Sequence, residues 1–197
     1  MTRIIAGFAG SLSLQVPRSG TRPTSDRVRE AIFSALEARD AIHGTRVLDL
    51  YAGSGALGLE AASRGAADVV LVERAKPAAD VCRRNADAVA RADGGRHAVR
   101  VRVVARAVAA YLEGAAGPVD LVFIDPPYEL SEPALAHDLE LLVPLLSDDA
   151  VVMVERSSRS PEPVWPAGLA PGRRRDYGET TLWWAAADQP ARPSQPE

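Results

Sequence analysis

The sequence contains one cysteine, Cys82, and one lysine, Lys76, in 197 residues. A single cysteine excludes a disulfide bond or a cysteine-based zinc site within the chain, and it is typical of a reducing compartment. No apolar run approaches the length of a membrane-spanning helix, and no signal peptide precedes Arg3. We therefore expect a cytoplasmic protein that binds no membrane and no metal.

Positive net charge is also absent, because the formal net charge is −3. Any affinity for nucleic acid therefore has to come from a local basic patch. The first 30 residues hold five arginines against two acids, a local charge of +3: Arg3, Arg18, Arg22, Arg27 and Arg29 against Asp26 and Glu30. Two of these arginines fall in the first turns of a predicted helix, where the helix dipole disfavours cations. An anionic partner would explain that placement, and a solvated surface is the alternative explanation.

With 197 residues and 47% hydrophobic content, the chain can form one domain with a buried core and a small extension. Residues 3–17 alternate weakly around glycines, which predicts a short β-hairpin. A helix should follow, because Thr24 or Ser25 can cap its start and four apolar residues form one stripe: Val28, Ile32, Phe33 and Leu36.

From Thr45 onwards, apolar strands alternate with helical segments. The strands are predicted at residues 47–51, 69–72, 99–104, 121–124 and 150–154. The segments after the first four strands predict helices, the last of them over residues 133–146. Such alternation predicts an α/β, Rossmann-like fold, with a mostly parallel sheet and helices on both faces. Residues 173–177 and 181–185 add an antiparallel edge hairpin, which makes seven strands in total.

This C-terminal hairpin carries two unusual runs, Arg173-Arg174-Arg175 and Trp183-Trp184. The arginines could extend a nucleic-acid-binding patch, or they could form a solvated edge that discourages aggregation. On the predicted edge strand, one tryptophan ring should face the core while the other covers a neighbour.

A glycine-rich turn follows the first strand of the sheet. Gly53-x-Gly55-x-x-Gly58 has the spacing of nucleotide-binding turns, and Glu73 ends the second strand twenty residues after Gly53. Sites for NAD, FAD and S-adenosylmethionine all use such a loop and acid. Asp49 lies just ahead of the loop, placed to meet an ammonium group through the loop or a water molecule, and this favours S-adenosylmethionine.

Asp125-Pro126-Pro127-Tyr128 follows the fourth strand. Neither proline nitrogen can donate a hydrogen bond, so the turn presents the Asp125 carboxylate, carbonyl oxygens and an aromatic ring. Such a surface suits a planar group with an exocyclic amine; a merely rigid turn is the alternative. Because the first and fourth strands are neighbours in this fold, both motifs should meet at the carboxyl edge of the sheet.

The segments 49–58 and 125–128 resemble those of class I amino-methyltransferases. The N-terminal runs 3–7, 21–24 and 26–30, together with Phe33, resemble the RsmD family, which methylates N2 of one guanine in small-subunit ribosomal RNA. The resemblance covers residues 3 to about 185. It implies an RNA-facing hairpin and helix extension over 1–40 and a methyltransferase domain over 41–187. Three prolines in the last ten residues predict a disordered tail over 188–197.

The resemblance also implies the site. Acceptor contact and catalysis would come from Asp125, Pro126, Pro127 and Tyr128. S-adenosylmethionine would be bound by Asp49, Tyr51, Ala52, Gly53, Ser54, Gly55, Glu73, Arg74, Arg106 and Ala107. From the local charge, we expect the five N-terminal arginines to hold RNA. Because this basic patch is modest, we expect a monomer to act on 16S rRNA within an assembled small-subunit particle, whose surface would supply part of the binding.

Two features depart from the family pattern. Basic residues are missing from the hairpin at Phe8–Ser13, so the arginines of residues 18–29 would carry more of the RNA contact. No acid follows the third strand, so backbone groups of Arg106 and Ala107 would contact the adenine ring.

Other functions share parts of this pattern. A DNA adenine-N6 or cytosine-N4 methyltransferase uses the same acceptor motif, but no target-recognition domain fits in this length. A protein glutamine methyltransferase normally has Asn where this chain has Asp125. A non-catalytic RNA-binding module would not need Asp49, Glu73 and Asp125 together. An NAD-dependent oxidoreductase would account for the glycine loop but not for the Asp-Pro-Pro-Tyr turn.

Overall fold

The computed structural model describes residues 2–17, 25–97 and 99–188. The predictions for Thr24, Arg18 and Arg22, and for the tail after Asp188, lie outside the described residues. No helix in this described part of the chain is both long enough and apolar enough to cross a lipid bilayer.

The N-terminal segment forms the predicted hairpin and helix. Strands β1 (Thr2–Arg3) and β2 (Ser13–Leu14) pair in antiparallel register. Helix α1 (Asp26–Glu37) begins after Ser25, whose hydroxyl accepts a hydrogen bond from the Val28 N–H at 3.3 Å. The four apolar residues of the predicted stripe are all buried.

The main sheet has seven strands: β3 (Arg46–Leu50), β4 (Asp68–Val72), β5 (Arg100–Val104), β6 (Val119–Ile124), β7 (Leu146–Ser157), β8 (Leu169–Tyr177) and β9 (Thr180–Ala187). Their order is β5-β4-β3-β6-β7-β9-β8. The first five strands are parallel, and β9 runs antiparallel to both β7 and β8. The predicted fold class is confirmed.

The helices between strands are α2 (Ala56–Ser63), α3 (Lys76–Asp93), α4 (Val108–Leu112) and α5 (Glu132–Leu142). The prediction that the last helix reaches residue 146 is wrong. A 3-10 turn over Val143–Leu145 replaces its final turn, and β7 begins already at Leu146. Pro144 explains the early end, because a proline inside a helix removes one hydrogen bond and clashes with the preceding turn.

The order of the last two strands also differs from the prediction. β9 lies between β7 and β8, so the strand that carries the two tryptophans is not an edge strand. Trp183 and Trp184 are both buried, on opposite faces of the sheet. The arginine-rich β8 forms the edge, where charged residues and proline are tolerated because no neighbour needs their hydrogen bonds.

Two apolar clusters cover the two faces of the sheet. One face packs against α4 and α5. The other packs against α2, α3 and the N-terminal segment, which contributes the buried residues Ile4, Leu14, Ile32 and Phe33. The hairpin and α1 therefore share one hydrophobic core with the sheet.

Glu60, buried in α2, anchors the N-terminal segment. Its two carboxylate oxygens accept hydrogen bonds from the backbone N–H groups of Ile5 at 2.6 Å and Ala6 at 3.0 Å. Glu60 also lies 4.0 Å from Arg29 and 2.7 Å from Arg64. A buried carboxylate requires such partners, because desolvating an unpaired charge is costly.

The prediction that Arg29 contacts RNA is wrong. Its side chain is fully buried, donates a hydrogen bond to Asp26 at 2.7 Å and faces Glu60. The two carboxylates offset the cost of placing a cation near the start of α1. An internal ion-pair network therefore accounts for this charge without an external partner.

Candidate functional site

A cavity of about 420 Å³ opens at the carboxyl edge of the sheet, where β3, β4 and β6 end. We call it the cofactor cavity. Seven predicted site residues line it: Tyr51, Gly53, Glu73, Arg74, Ala107, Asp125 and Pro127. Nine further lining residues were not predicted from the sequence: Pro17, Ala75, Ala78, Val108, Ala109, Leu130, Ala134, His137 and Asp138. The glycine loop and the Asp-Pro-Pro-Tyr turn therefore share one cavity.

Asp49 holds the glycine loop from inside the sheet. Its carboxylate is buried and accepts a hydrogen bond from the Gly58 N–H at 2.8 Å. Burial raises the pKa of Asp49 to about 7, and the nearby carboxylates of Asp125 and Glu73 add to this shift, while the Gly58 hydrogen bond opposes it. Asp49 therefore acts on the cavity through the loop that it anchors.

Two glycines of the loop are required by close packing. A Cβ atom at Gly58 would lie 2.3 Å from Leu71, so only glycine lets α2 approach β4 this closely. Gly55 has a φ angle of +79°, and a Cβ atom there would lie 2.9 Å from the sulfur of Cys82. The buried Cys82 is thus a packing partner of the loop.

Glu73 is fixed between the end of β4 and the glycine loop. One carboxylate oxygen accepts a hydrogen bond from the Gly53 N–H at 3.0 Å, and the other accepts one from the Ala75 N–H at 2.7 Å. Each oxygen keeps a second lone pair, and the side chain lines the cavity. The pair of oxygens can therefore accept two hydroxyl groups of a ribose.

Tyr51 connects the cavity to α5. Its φ angle is +64°, which is uncommon for a residue other than glycine, and its hydroxyl donates a hydrogen bond to Asp138. Burial and this carboxylate raise the pKa of Tyr51, and burial raises the pKa of Asp138 although the Tyr51 hydrogen bond opposes that shift. Asp138 was not predicted, because its partner lies 87 residues away and no local pattern marks the pair.

The acceptor turn starts directly after β6. The Asp125 N–H contacts the Leu50 carbonyl oxygen at 3.4 Å, which places the turn beside the end of β3. Pro126 is buried, Pro127 is exposed, and the ring of Tyr128 is 62% exposed. The ring of Tyr128 is therefore accessible to a base, as the predicted stacking requires.

Arg156 holds the chain that follows this turn. Its buried guanidinium donates a hydrogen bond to the Leu130 carbonyl oxygen at 3.1 Å and pairs with Glu132. This residue was not predicted from the sequence. The only signal in the sequence was a charged pair, Glu155-Arg156, immediately after the apolar residues 150–154 of β7.

The N-terminal segment reaches the same site through Asn85 of α3. Its amide nitrogen donates to the Ser54 carbonyl oxygen at 2.8 Å and to the Gln15 carbonyl oxygen at 2.9 Å, and its oxygen accepts from the Gln15 N–H at 2.9 Å. Ser54 belongs to the glycine loop, and Pro17 lines the cofactor cavity. One buried amide therefore fixes the N-terminal segment against the loop.

Other predicted contact residues differ in their exposure to solvent. Ala52 is buried and its N–H donates to the Val72 carbonyl oxygen at 2.9 Å, so it shapes the loop from within. Arg106 is exposed and is not among the residues lining the cavity, whereas its neighbour Ala107 is. Of the arginines predicted to bind RNA, Arg27 is exposed, and Arg3 is exposed and lies 3.5 Å from Asp26.

The cavity fits S-adenosylmethionine. Its volume lies in the range of ligand sites, about 300–1,000 Å³. Glycines at positions 53 and 55 adopt positive φ angles, which leaves the loop free of side chains facing a ligand. Glu73 offers paired acceptors for ribose hydroxyls. The carboxylates of Asp49 and Asp125 favour a negative electrostatic potential at the site, which suits the positively charged sulfonium and ammonium groups of this cofactor.

Comparison with known proteins agrees with this geometry. The family described as conserved hypothetical protein 95 matches residues 2–186. Ribosomal RNA small subunit methyltransferase D of Escherichia coli K12 is 35% identical over 180 residues, 90% of this chain and 85% of that protein. The structure of the yhhF protein from Escherichia coli has a TM-score of 0.79 and 32% identity, covering 95% of this chain and 98% of that one. A hypothetical protein of Thermus thermophilus has a TM-score of 0.78 and 32% identity, with 93% and 98% covered.

These matches extend across the hairpin, the glycine loop and the acceptor turn alike. The family resemblance that the motifs predicted is confirmed. The chain belongs to this family, the RsmD family of class I methyltransferases that depend on S-adenosylmethionine.

Proposed function

We propose that the protein transfers the methyl group of S-adenosylmethionine to the exocyclic N2 amine of a guanine in 16S rRNA. The observation that supports this most is the shared cavity, since the Asp125 and Pro127 side of the acceptor turn opens onto the same space as the glycine loop and Glu73. An amine held by the turn would therefore lie within reach of a methyl group held by the loop.

The acceptor turn suits an amine for a chemical reason. The Asp125 carboxylate and the Pro126 carbonyl oxygen accept the two hydrogens of the amine, and this orients its lone pair towards the cavity. Tyr128 stacks on the ring of the base, which has to leave its own stack to reach the turn. A hydroxyl or a ring nitrogen without hydrogen would leave one acceptor without a partner.

Catalysis is mainly a matter of placement. When bound, S-adenosylmethionine supplies a methyl group that is already strongly electrophilic. The guanine amine is a weak nucleophile because its lone pair is delocalised into the ring, so the turn has to aim it. Asp125 stabilises the positive charge that develops on the nitrogen and then accepts the proton that the methylated amine loses.

The RNA substrate is proposed from the relatives and from local charge. Ribosomal RNA small subunit methyltransferases are named among the similar proteins. Arg3 and Arg27 are exposed, and Arg18 and Arg22 lie between them in the sequence. Because the patch is modest and the net charge is −3, we further propose that a monomer binds an assembled small-subunit particle in the cytoplasm, where folded RNA and protein supply additional contacts.

Transfer of labelled methyl groups to four acceptors tests this proposal: small-subunit particles that lack guanine-N2 methylation, free 16S rRNA, duplex DNA and a protein extract. Label in rRNA of the particle is the expected result. Label in DNA or protein would support the proposed cofactor but contradict the proposed RNA substrate. Cofactor binding without label in any acceptor would indicate a non-catalytic RNA-binding module.

A further inference from the structure

A second cavity, of about 180 Å³, lies between α1 and the edge strand β8. We call it the α1–β8 cleft. It shares no lining residue with the cofactor cavity. Its lining residues are Ala31, Ala35, Arg39, Arg173, Arg175, Tyr177, Leu182 and Trp184. Three arginines thus converge from two separate parts of the chain on one small space.

Strand alternation explains which arginines of β8 face the cleft. Residues 173, 175 and 177 point to one side, towards α1, and Arg174 points to the other. Arg174 lies over the Trp183 ring at 4.9 Å and pairs with Asp176 at 3.1 Å. The arginine that faces away from the cleft therefore has a stacking partner and a counter-charge within the protein.

Unlike Arg174, the three arginines of the cleft have no such counter-charge among the described residues. In the described ranges 2–17, 25–97 and 99–188, no ion pair within 4.0 Å is found for Arg39, Arg173 or Arg175. Like charges that converge without a counter-charge repel one another, and an anion bound between them would offset that repulsion. Protection of a sheet edge explains arginines on β8, but it does not explain Arg39, which follows the end of α1.

The floor and width of the cleft indicate what kind of anion fits. Trp184 and Leu182 are buried and close it from below, while Tyr177 is partly exposed. Ala31 and Ala35 present only methyl groups from α1, which leaves a gap between α1 and β8. A phosphate flanked by a sugar fits such a gap, because planar guanidinium groups bind phosphate oxygens in pairs and the aromatic floor contacts the sugar or base.

The cleft is placed so that one RNA segment can reach both it and the acceptor turn. β9 is antiparallel to both neighbours, so β8 runs in the same direction as β7 and ends, at Tyr177, on the edge of the sheet that carries Asp125. From β6 to β8 there are three strand spacings, roughly 14 Å at the usual separation of about 4.8 Å. Arg27 lies four residues before Ala31 and therefore on the same stripe of α1.

We infer that the α1–β8 cleft binds a phosphodiester segment of the substrate RNA outside the methylated nucleotide. This inference rests on the proposed function, because it names a second contact of the same RNA. The cleft contributes affinity and no chemistry, since none of its residues reaches the cofactor cavity. It also supplies basic contacts that the hairpin lacks at Phe8–Ser13.

The double variant Arg173→Gln/Arg175→Gln tests the inference. Its control is Arg83→Gln/Arg91→Gln, which removes the same charge from exposed positions of α3. Binding of particles and of 16S rRNA is measured over a series of salt concentrations, with turnover at saturating substrate. The cleft variant should raise Kd and KM for RNA about tenfold or more and reduce the salt slope by about 1–2, because each lost phosphate contact lowers that slope by about one. Its kcat and its affinity for S-adenosylmethionine should stay unchanged.

Arg173→Lys/Arg175→Lys, which keeps the charge, should lose less affinity than the glutamine variant. Equal RNA affinity of the cleft and control variants would overturn the inference while leaving the proposed function intact. If the parent protein methylated DNA or protein and not RNA, the proposed function would fail and the inference with it. The two failures are thus distinguished by the parent protein alone.

Discussion

The Asp49 carboxylate accepts a hydrogen bond from the Gly58 N–H, nine residues later in the chain, at 2.8 Å. This contact ties the inside of β3 to the first turn of α2 and so sets the shape of the glycine loop between them. Burial raises the pKa of Asp49 to about 7 from a usual value of 3.8. The loop is therefore held by a carboxylate whose charge is costly until a cation enters the site.

Asp49→Asn should change how stability depends on pH. An acid whose pKa is higher in the folded protein than in the unfolded chain destabilises the fold as pH rises between the two values. Relative to the variant, the parent protein should therefore lose stability from pH 4 to pH 7, by up to about 4 kcal/mol, and remain level above pH 8. Urea unfolding of both proteins without cofactor measures the difference. A pH-independent difference would mean that Asp49 is not the buried titrating group.

Asp125→Ala should abolish turnover while cofactor affinity changes little. Loss of charge stabilisation alone typically costs about 10²–10³-fold in kcat, and the loss of amine orientation adds to this. Glu129→Ala is the matched control, because it removes an exposed acid four residues away. Calorimetry with S-adenosylmethionine and steady-state kinetics give the two quantities. A parallel loss of affinity and turnover would show that Asp125 is structural.

Tyr51→Phe should destabilise the protein and weaken cofactor binding together. Removal of the hydroxyl leaves the buried Asp138 without the donor that it has in the structure, at a cost of about 1–3 kcal/mol. Tyr111→Phe serves as the control, since Tyr111 is partly buried and has no side-chain hydrogen bond within the described part of the chain. Denaturant unfolding with and without cofactor compares the two. Equal effects at both positions would argue against the Tyr51–Asp138 contact.

Arg156→Gln should impair methyl transfer without affecting the cofactor. The guanidinium positions the chain after Tyr128 through the Leu130 carbonyl oxygen, so kcat should fall and KM for RNA should rise. Arg156→Lys keeps a charged donor and should recover part of the activity. The readout that separates positioning from general damage is the Kd for S-adenosylmethionine, which should match that of the parent. A fall in cofactor affinity as large as the fall in kcat would contradict the positioning role.

Short-range patterns were enough to predict the strands, the glycine loop and the acceptor turn, because each lies within a dozen residues and has a fixed spacing. Contacts between residues far apart in the sequence produce no such local pattern. The Tyr51–Asp138 pair spans 87 residues and the Gln15–Asn85 pair spans 70. Neither sequence position is unusual by itself.

Arg29 shows a different limit of prediction from the sequence. A cation at the start of a helix is unfavourable, and the sequence alone suggested an RNA phosphate as the missing partner. Its nearest partner is Asp26 at 2.7 Å on the same helix, and its second is Glu60 at 4.0 Å, which an amphipathic pattern alone cannot place against α1. Likewise, alternation predicted the two C-terminal strands without indicating which of them borders β7, and only the lower apolar content of β8 explains its place at the edge.

The most direct test of the proposed reaction is the identity of the methylated nucleoside. Small-subunit particles lacking the modification are incubated with the protein and labelled cofactor, and the rRNA is digested to nucleosides and separated. The label should appear in N2-methylguanosine with the parent protein and should disappear with Asp125→Ala. Label in N1- or N7-methylguanosine, or in a methylated adenosine or cytidine, would contradict the assignment of the acceptor turn to the guanine N2 amine.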